Sequence, residues 1–520
     1  MENQFELMLL LLAIAAATTA FSKKMKLPYP ITLVIAGVVI GLLPIPGLHD
    51  LKSFFAGDTI FHFAIISIFL PTLLGEAALN LPYHHLKENR VSIVTLAFFG
   101  TLISFAVTAS LSGWFLFLPL QAALIFGALM APTDPVSVLS IFRSMGVNRK
   151  LSVTMEGESL FNDGLAVVLF TISAYMINDL LDKGVAGYFM ALFIFLKIAI
   201  GGVLIGAFFG YLFSKLTSLY DDYPLEIIFS MLLFYGVYFI AEALSVSGVI
   251  AVVVAGLIFG NYGKKIGMSP TTSMNIKTFW DVMSLVANSV VFLLVGLEIT
   301  RISLGHRWLM ILIAILIILI SRSVAVYIVT AFLREIPSKW KHVFNWGGLK
   351  GSLSLALALS LPKSFPMRED LLVLAFGVVL FSLLIQGVTM KPLVRALGIK
   401  TEAGTLLDYE RLLSQIHRFT RGRERLNHLK REGTVSPGVA SPLTSQYDVE
   451  LEKLHQNLDQ LYEQHPSLKK EQTEQAAKEA LIAEHAAIDH LARHDLISKK
   501  TKDEQQRLIL DILEKREEND

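Results

Sequence analysis

The sequence predicts an all-helical, polytopic membrane protein with a helical cytoplasmic tail. Of the 520 residues, 53% are hydrophobic and only 17% are charged, whereas soluble proteins carry about 25% charged residues. Apolar runs long enough to cross a bilayer as helices fill residues 1–398, and a charged, helix-patterned sequence fills residues 399–520. There is no cysteine, which excludes disulfides, thiol catalysis and cysteine-ligated zinc.

The lengths of the apolar runs predict about 13 transmembrane helices. No basic segment precedes the first run, so we expect a membrane helix there and not a cleaved leader. The expected spans are 5–22, 30–47, 57–80, 91–117, 120–144, 151–177, 187–217, 225–244, 247–262, 276–299, 306–333, 344–362 and 369–396.

The distribution of basic residues predicts the orientation. An odd number of spans places the two termini on opposite sides of the membrane. With the N-terminus outside, the cytoplasmic loops carry 15 Lys and Arg residues and the external loops carry 6. This excess predicts an external N-terminus and a cytoplasmic C-terminus in a plasma membrane.

Two of the spans are interrupted by polar residues, glycine or proline. The interruptions lie around Thr133 in span 5 and at 347–354 in span 12. If the spans are divided into six, a linker and six, both interruptions fall at the fifth position of a half. This layout predicts two inverted six-helix repeats with discontinuous crossing helices and a site near the midplane.

The tail is expected to be a regulatory helical region. Its pattern predicts helices at 406–431, 470–497 and 502–518, a Gly-, Pro- and Ser-rich linker at 433–445, and a short leucine repeat at 451–461. Seven of the 13 histidines lie in the tail. They are either solvent-facing side chains or a cytosolic pH sensor.

Two polar runs inside apolar segments carry the functional signal, Ala131–Pro135 and Glu158–Gly164. A carboxylate at membrane depth is costly and usually marks an ion or proton path. The prolines of the first run break the helix, and broken backbone is tolerated in a membrane only where protein or a water-filled cavity covers it. Together the two runs indicate a transporter.

Helix geometry places an oxygen-rich face around Asp163. At about 100° per residue, Ser159 lies about 40° from Asp163, and Asn162 reaches the same cavity edge. Glu158 lies about 140° away from Asp163, points into the protein and needs a basic partner. A carboxylate with a hydroxyl and an amide beside it suits a dehydrated Na⁺, because hard cations take oxygen ligands.

The break adds further oxygens. The Asp134 carboxylate, the Thr133 hydroxyl and the carbonyls freed by the prolines can face the cavity. Glu76 is a further buried acid, either a direct ligand or a hydrogen-bonded structural group. The expected Na⁺ ligands are Asp163, Asp134, Thr133 and Ser159.

Two basic residues lie within the predicted spans, Arg322 in span 11 and Lys350 in span 12. Either could pair with Glu158 inside the membrane or snorkel to its surface. The residues themselves leave the partner of Glu158 open.

At these positions the sequence resembles the monovalent cation:proton antiporters of the sodium/proton exchanger type, the NHE/NhaP group of cation:proton antiporter family 1. The resemblance covers about residues 5–396, and the tail carries none of it. The motifs are TDPV at 133–136, ESLFNDG at 158–164, SGVIAVVVAGL at 247–257, NSVVFLLVGL at 288–297 and WGGLKGSLSLALALSLP at 346–362.

The resemblance implies a dimer of thirteen-span protomers, in which a core domain moves against a dimerisation domain. It implies that Asp163 alternately holds a proton or Na⁺, and that the ion lies near Thr133, Asp134, Ser159 and Glu76. Asn162 matches the Asn of an Asn-Asp pair, where electrogenic relatives carry Asp. Glu158 matches an acid paired with a basic residue of span 12, which is usually Arg in the family and is Lys350 here.

The leading hypothesis is therefore an electroneutral antiporter that exchanges Na⁺ or Li⁺ for H⁺ by alternating access, about 1:1, for pH and sodium homeostasis. K⁺/H⁺ exchange on the same scaffold is the nearest alternative. A cation channel lacks a filter signature here, and a membrane enzyme using Asp134 and Asp163 as an acid pair lacks a hydrolytic motif. We expect no enzyme activity, catalytic residue, cofactor or nucleic-acid partner.

Overall fold

The structure is a computed structural model that describes residues 2–25, 29–42, 67–220, 222–268, 270–300, 307–333, 335–362, 364–399 and 403–493, with short pieces between 496 and 509. Within these ranges every regular element is a helix. The chain divides into two compact units. The first is Met1–Arg143 with Arg149–Ile399, and the second is Ser144–Asn148 with Lys400–Asp520.

The described residues form nineteen helices, numbered α1 to α19 in chain order. The first sixteen helices lie between Glu2 and Ala396. The last three belong to the tail. In order they are Glu2–Met25, Tyr29–Leu42, Leu70–Asn80, Tyr83–Phe115, Leu120–Leu129, Val136–Met145, Arg149–Tyr175, Ile177–Leu181, Val185–Thr217, Tyr223–Ala243, Gly248–Ile266, Pro270–Ile299, Trp308–Phe332, Ser338–Trp346, Ser352–Leu359, Arg368–Ala396, Ala403–Arg431, Pro437–Gln464 and Pro466–Arg493.

Among the described residues, seven helices are long and apolar enough to cross a membrane, namely α4, α9, α10, α11, α12, α13 and α16. Shorter apolar stretches occur in α1, α2 and α5. The predicted all-helical, multi-pass architecture is thus confirmed. Each predicted apolar run contains helix where it is described, although the start of the run 57–80 lies outside the described residues.

Small residues allow the long helices to pack closely. Gly37 of α2 and Gly296 of α12 face each other, and a side-chain carbon on either would overlap the backbone of the other helix. Gly206 of α9 lies in the same way against the backbone of Ala251 in α11. Such contacts favour close helix approach in membranes, where van der Waals packing replaces the hydrophobic effect.

The tail unit is built on the packing of α17 against α18. The Phe419 and Tyr447 rings meet edge to face at 5.5 Å between centroids. An Arg423–Asp448 ion pair at 3.0 Å joins the two helices further along. The Tyr409 hydroxyl donates a 2.7 Å hydrogen bond to Gln472 of α19.

The predicted linker at 433–445 is largely wrong, because α18 already begins at Pro437. Proline at the first helical position needs no hydrogen-bonded N–H and has a suitable φ. A Ser-Pro-Gly sequence therefore marks a helix start here as readily as a linker. Most of the predicted helix 502–518 lies outside the described residues.

Candidate functional site

Both predicted interruptions are breaks between two short helices. In span 5, α5 ends at Leu129 and α6 begins at Val136. Pro132 and Pro135 lie in this break and lack the N–H that a continuous helix needs. In span 12, α14 ends at Trp346 and α15 begins at Ser352, with three glycines between them.

The two breaks touch. The backbone N–H of Asp134 donates to the Leu349 carbonyl at 2.7 Å. The Lys350 ammonium donates to the Pro132 carbonyl at 3.1 Å. Gly351 lies so close to the Asp134 carboxyl that a side-chain carbon at position 351 would overlap it. The unwound backbone of each span is thus covered and hydrogen-bonded by the other.

Asp134 caps the second half of span 5. One oxygen of its carboxylate, Oδ1, accepts a 3.0 Å hydrogen bond from the backbone N–H of Val136, the first residue of α6. A negative charge at a helix N-terminus satisfies unpaired N–H groups and the helix dipole. This capping contact fixes the direction of the Asp134 side chain.

Helix α7 holds the break through two side chains of the predicted polar face. The Ser159 hydroxyl donates to the Thr133 carbonyl. The Asn162 amide donates to the Thr133 hydroxyl at 2.7 Å and accepts from the Thr133 N–H at 3.4 Å. Because all three residues are buried, the position of Thr133 is set by α7.

A cavity of about 400 Å³ lies beside this contact. Five of the predicted site residues line it: Asp163, Asp134, Thr133, Ser159 and Glu76. One oxygen of Asp163, Oδ1, is buried and has no hydrogen-bond partner among the described residues. The prediction that Asn162 reaches the edge of the cavity is wrong, because Asn162 is not among the residues that line it. It lies behind Thr133 and holds it in place.

Glu76 is held by α3 and α12. Its carboxylate accepts a 2.6 Å hydrogen bond from Asn80 and a 3.4 Å bond from Ser284. Asn80 also donates to Asp281 at 3.1 Å. Glu76 thus has the hydrogen bonds of a structural acid, and its side chain also lines the cavity.

Sequence reasoning missed several polar residues of the cavity. On α12, Asp281, Ser284 and Asn288 all line it. Their spacing of three and then four residues places them on one helix face, and this polar stripe could have been found in the sequence. Glu156 and Arg143 also line the cavity. Their positions relative to the two polar runs do not indicate this in the sequence.

The cavity is strongly acidic. It is lined by five carboxylic acids and by a single basic side chain, Arg143, within the described residues. A cleft with one sign of charge and low-dielectric walls concentrates ions of the opposite charge. The arrangement therefore suits cations. The acids are Glu76, Asp134, Glu156, Asp163 and Asp281.

Glu158 pairs with Arg322 of α13. The pairing of Glu158 with Lys350, which the resemblance implies, is therefore wrong. The guanidinium donates to both carboxylate oxygens, at 2.6 Å and 3.1 Å, and to the Phe344 carbonyl at 3.0 Å. Arginine offers two parallel donors that match a carboxylate, whereas lysine is a point charge. The two parallel N–H donors of the guanidinium therefore favour Arg322 as the partner of Glu158.

Lys350 has a different contact. It is 2% exposed, and its ammonium reaches the Pro132 carbonyl across the helix crossing. Its backbone N–H donates to the Ser382 hydroxyl at 2.9 Å, and Ser382 in turn donates to Gln386 at 2.7 Å. Ser382–Gln386 is a π-helical turn of α16. Lys350 thus ties the two breaks together and is itself held by α16.

Comparisons with known proteins find similar sequences over most of this chain. A family profile described as "Sodium/hydrogen exchanger, transmembrane" matches residues 9–396. The chain is 52% identical over 507 residues to the Na(+)/H(+) antiporter NhaG of Bacillus atrophaeus, covering 98% of this chain and 97% of the relative. It is 51% identical over 391 residues to the Na(+)/H(+) antiporter NhaH of Halobacillus aidingensis, covering 75% and 97%.

A solved structure shares the fold. The sodium proton antiporter MjNhaP1 of Methanocaldococcus jannaschii at pH 8 superimposes with a TM-score of 0.64 and 22% identity. The match covers 76% of this chain and 99% of the other. The two proteins thus share a fold over about three quarters of this chain.

Proposed function

Because the chain belongs to the sodium/hydrogen exchanger family, as its motifs predicted, we propose that the acidic cavity is where Na⁺ and H⁺ compete for Asp163. The protein is a secondary antiporter that exchanges Na⁺ for H⁺ across a membrane. One observation carries the assignment of the site: Asp163 places beside this cavity a buried oxygen that has no hydrogen-bond partner in the described part of the chain, at the crossing of two broken helices.

The exchange follows from mutually exclusive occupancy. The Asp163 carboxylate binds either one H⁺ or one Na⁺, and both leave the site with the same charge. If only the occupied site changes its exposure between the two sides, each Na⁺ crosses in exchange for one H⁺ and no net charge moves. The mechanism uses no cofactor and is transport, not chemical turnover.

The oxygens beside Asp163 give Na⁺ its remaining ligands. Asp134, Thr133 and Ser159 line the same cavity, and Glu76 lies further along it. The Thr133 carbonyl and hydroxyl both accept hydrogen bonds from α7, so these oxygens are fixed before the ion arrives. Preorganised oxygens reduce the cost of dehydrating a hard cation.

The membrane domain comprises residues 1–398, with 13 transmembrane helices in two inverted six-helix repeats. The paired breaks support this arrangement, because they lie at matching positions of the two halves and contact each other. A core domain that carries the breaks moves against a dimerisation domain, and two copies form a homodimer. The N-terminus is outside the plasma membrane, and residues 399–520 form a cytoplasmic regulatory tail.

Sodium is the favoured cation. The relatives above are named Na(+)/H(+) antiporters, which does not favour the K⁺/H⁺ alternative. Transport of Li⁺, a smaller hard cation, fits the same oxygen ligands.

The test is pH-gradient-driven uptake of ²²Na⁺ and ⁸⁶Rb⁺ into proteoliposomes. The wild type should take up ²²Na⁺ and be competed by Li⁺, while Asp163→Asn should fall to the level of empty vesicles. Asp179→Asn, an exposed acid outside the cavity, is the matched control and should transport normally. Uptake of ⁸⁶Rb⁺ but not ²²Na⁺ by the wild type would reassign the cation.

A further inference from the structure

Two oxygens beside the cavity lack a hydrogen-bond partner. Among the described residues that line it, the buried side-chain oxygens without a partner are Oδ1 of Asp163 and Oγ of Ser354. Buried hydroxyls are normally hydrogen-bonded, because leaving one unpaired costs free energy. An unpaired buried hydroxyl therefore requires an explanation.

Ser354 comes from a different part of the fold than the ligands already considered. It lies on α15, the half-helix that follows the second break, three residues after Gly351. Gly351 in turn lies against the Asp134 carboxyl. Ser354 thus extends the site from the second broken span, whereas Asp163 belongs to α7 and Asp134 to the first break.

The local alternatives for this hydroxyl are unused. Serine hydroxyls in helices commonly donate to the carbonyl three or four residues earlier. Ser360, at the end of the same helix, does this with the Leu357 carbonyl at 2.7 Å. Ser354 is fully buried and has no hydrogen-bond partner within the described ranges, so its lone pairs and its proton are uncommitted there.

We infer that Ser354 is an additional oxygen ligand for the transported Na⁺, bound together with Asp163. This inference rests on the proposed function and adds a residue of span 12 to the cation shell. A dehydrated Na⁺ beside both oxygens satisfies them at once, since hard cations accept neutral hydroxyl oxygens as well as carboxylates. Binding through span 12 also makes cation occupancy sensitive to the arrangement of the two broken spans.

The test compares Ser354→Ala and Ser354→Cys with the control Ser360→Ala. Cysteine keeps the size of the side chain but replaces a hard oxygen with soft sulfur. For each purified protein, thermal unfolding is followed in choline chloride and over a NaCl series, and ²²Na⁺ uptake is measured over the same series. Both Ser354 variants should need about tenfold more Na⁺ for half-maximal stabilisation and uptake, which corresponds to about 1.4 kcal/mol.

The sodium-free stability separates a ligand from a structural hydroxyl. Removing an unpaired oxygen should leave the unfolding temperature in choline unchanged or higher, whereas Ser360→Ala loses a made hydrogen bond and should unfold at a lower temperature with an unchanged Na⁺ response. A normal Na⁺ response in either Ser354 variant would overturn the inference. A wild type that neither binds nor transports Na⁺ would instead overturn the proposed function, and the inference with it.

Discussion

Replacing Arg322 by methionine should destabilise the membrane domain strongly, because its ion pair with Glu158 is buried. The side chains of Arg322 and Glu158 are 8% and 2% exposed, and the guanidinium makes three hydrogen bonds. Removing one partner of a buried pair costs about 3–5 kcal/mol, since the remaining charge stays buried without compensation. Arg322→Lys keeps the charge but loses the bidentate contact with the carboxylate. It should lower the free energy of unfolding by about 1.5–3 kcal/mol, the contribution of a hydrogen bond to a charged group.

The double variant Arg322→Met/Glu158→Gln tests the reason for this loss. It removes the uncompensated carboxylate, so its loss should be smaller than the sum of the two single losses by about 0.5–3 kcal/mol. Arg307→Gln is the control, because Arg307 pairs with Asp370 at 3.2 Å with side chains 36% and 24% exposed. Pairs that remain this accessible to solvent contribute about 0–1 kcal/mol.

Unfolding of the purified protein in detergent, followed by tryptophan fluorescence over a denaturant series, measures these differences. If Arg322→Met is no less stable than Arg307→Gln, the pair does not stabilise the fold. Additive losses in the double variant would show that Glu158 and Arg322 do not act as a unit.

Two further predictions concern the site itself. Gly351→Ala should reduce ²²Na⁺ uptake at least about tenfold, a factor worth 1.4 kcal/mol, because the added carbon displaces the Asp134 carboxyl. Gly100→Ala, where an added carbon meets nothing within 4 Å, should transport normally, and equal activity of the two variants would refute the close contact. H⁺ and Na⁺ exclude each other at Asp163. At pH values where the sodium-free site is fully protonated, each decrease of one pH unit should therefore raise the Na⁺ concentration for half-maximal uptake about tenfold. An unchanged value between two acidic pH values would mean that the two ions occupy separate groups.

The sequence predicts the larger unit well, because bilayer thickness and the cost of unpaired backbone restrict the possible elements. The run 120–144 was expected as one broken span, and the two prolines at 132 and 135 place the break where the structure has it. The second break is marked by glycines instead of prolines, and its position near Lys350 was also anticipated.

The partners of the charged residues could not be predicted in the same way. A single sequence fixes the helix face of Glu158, but it does not fix which neighbouring helix supplies the base. That choice depends on helix packing, and the bidentate geometry selects Arg322 over Lys350. Asn162 illustrates the same limit. It is next to Asp163 in the same helix, yet the step of about 100° between successive residues turns it away from Asp163, and its amide binds the Thr133 hydroxyl.

The tail was less predictable than the larger unit. Its helices are indicated only by the spacing of a few apolar residues, whereas a bilayer requires long apolar runs that are easy to recognise. Leu451 and Leu454 of the predicted repeat are buried, as their spacing indicated. The start of α18 was misplaced, since serine, proline and glycine occur both in linkers and at helix N-termini. Composition does not separate these two uses.

Proton release on Na⁺ binding tests the central claim most directly. Purified protein in a weakly buffered solution with a pH indicator is mixed with NaCl, and bound ²²Na⁺ is counted in parallel. The account predicts about one H⁺ released per Na⁺ bound to the protonated wild type, and no Na⁺-dependent release from Asp163→Asn. Release of protons by that variant at the wild-type ratio would contradict it.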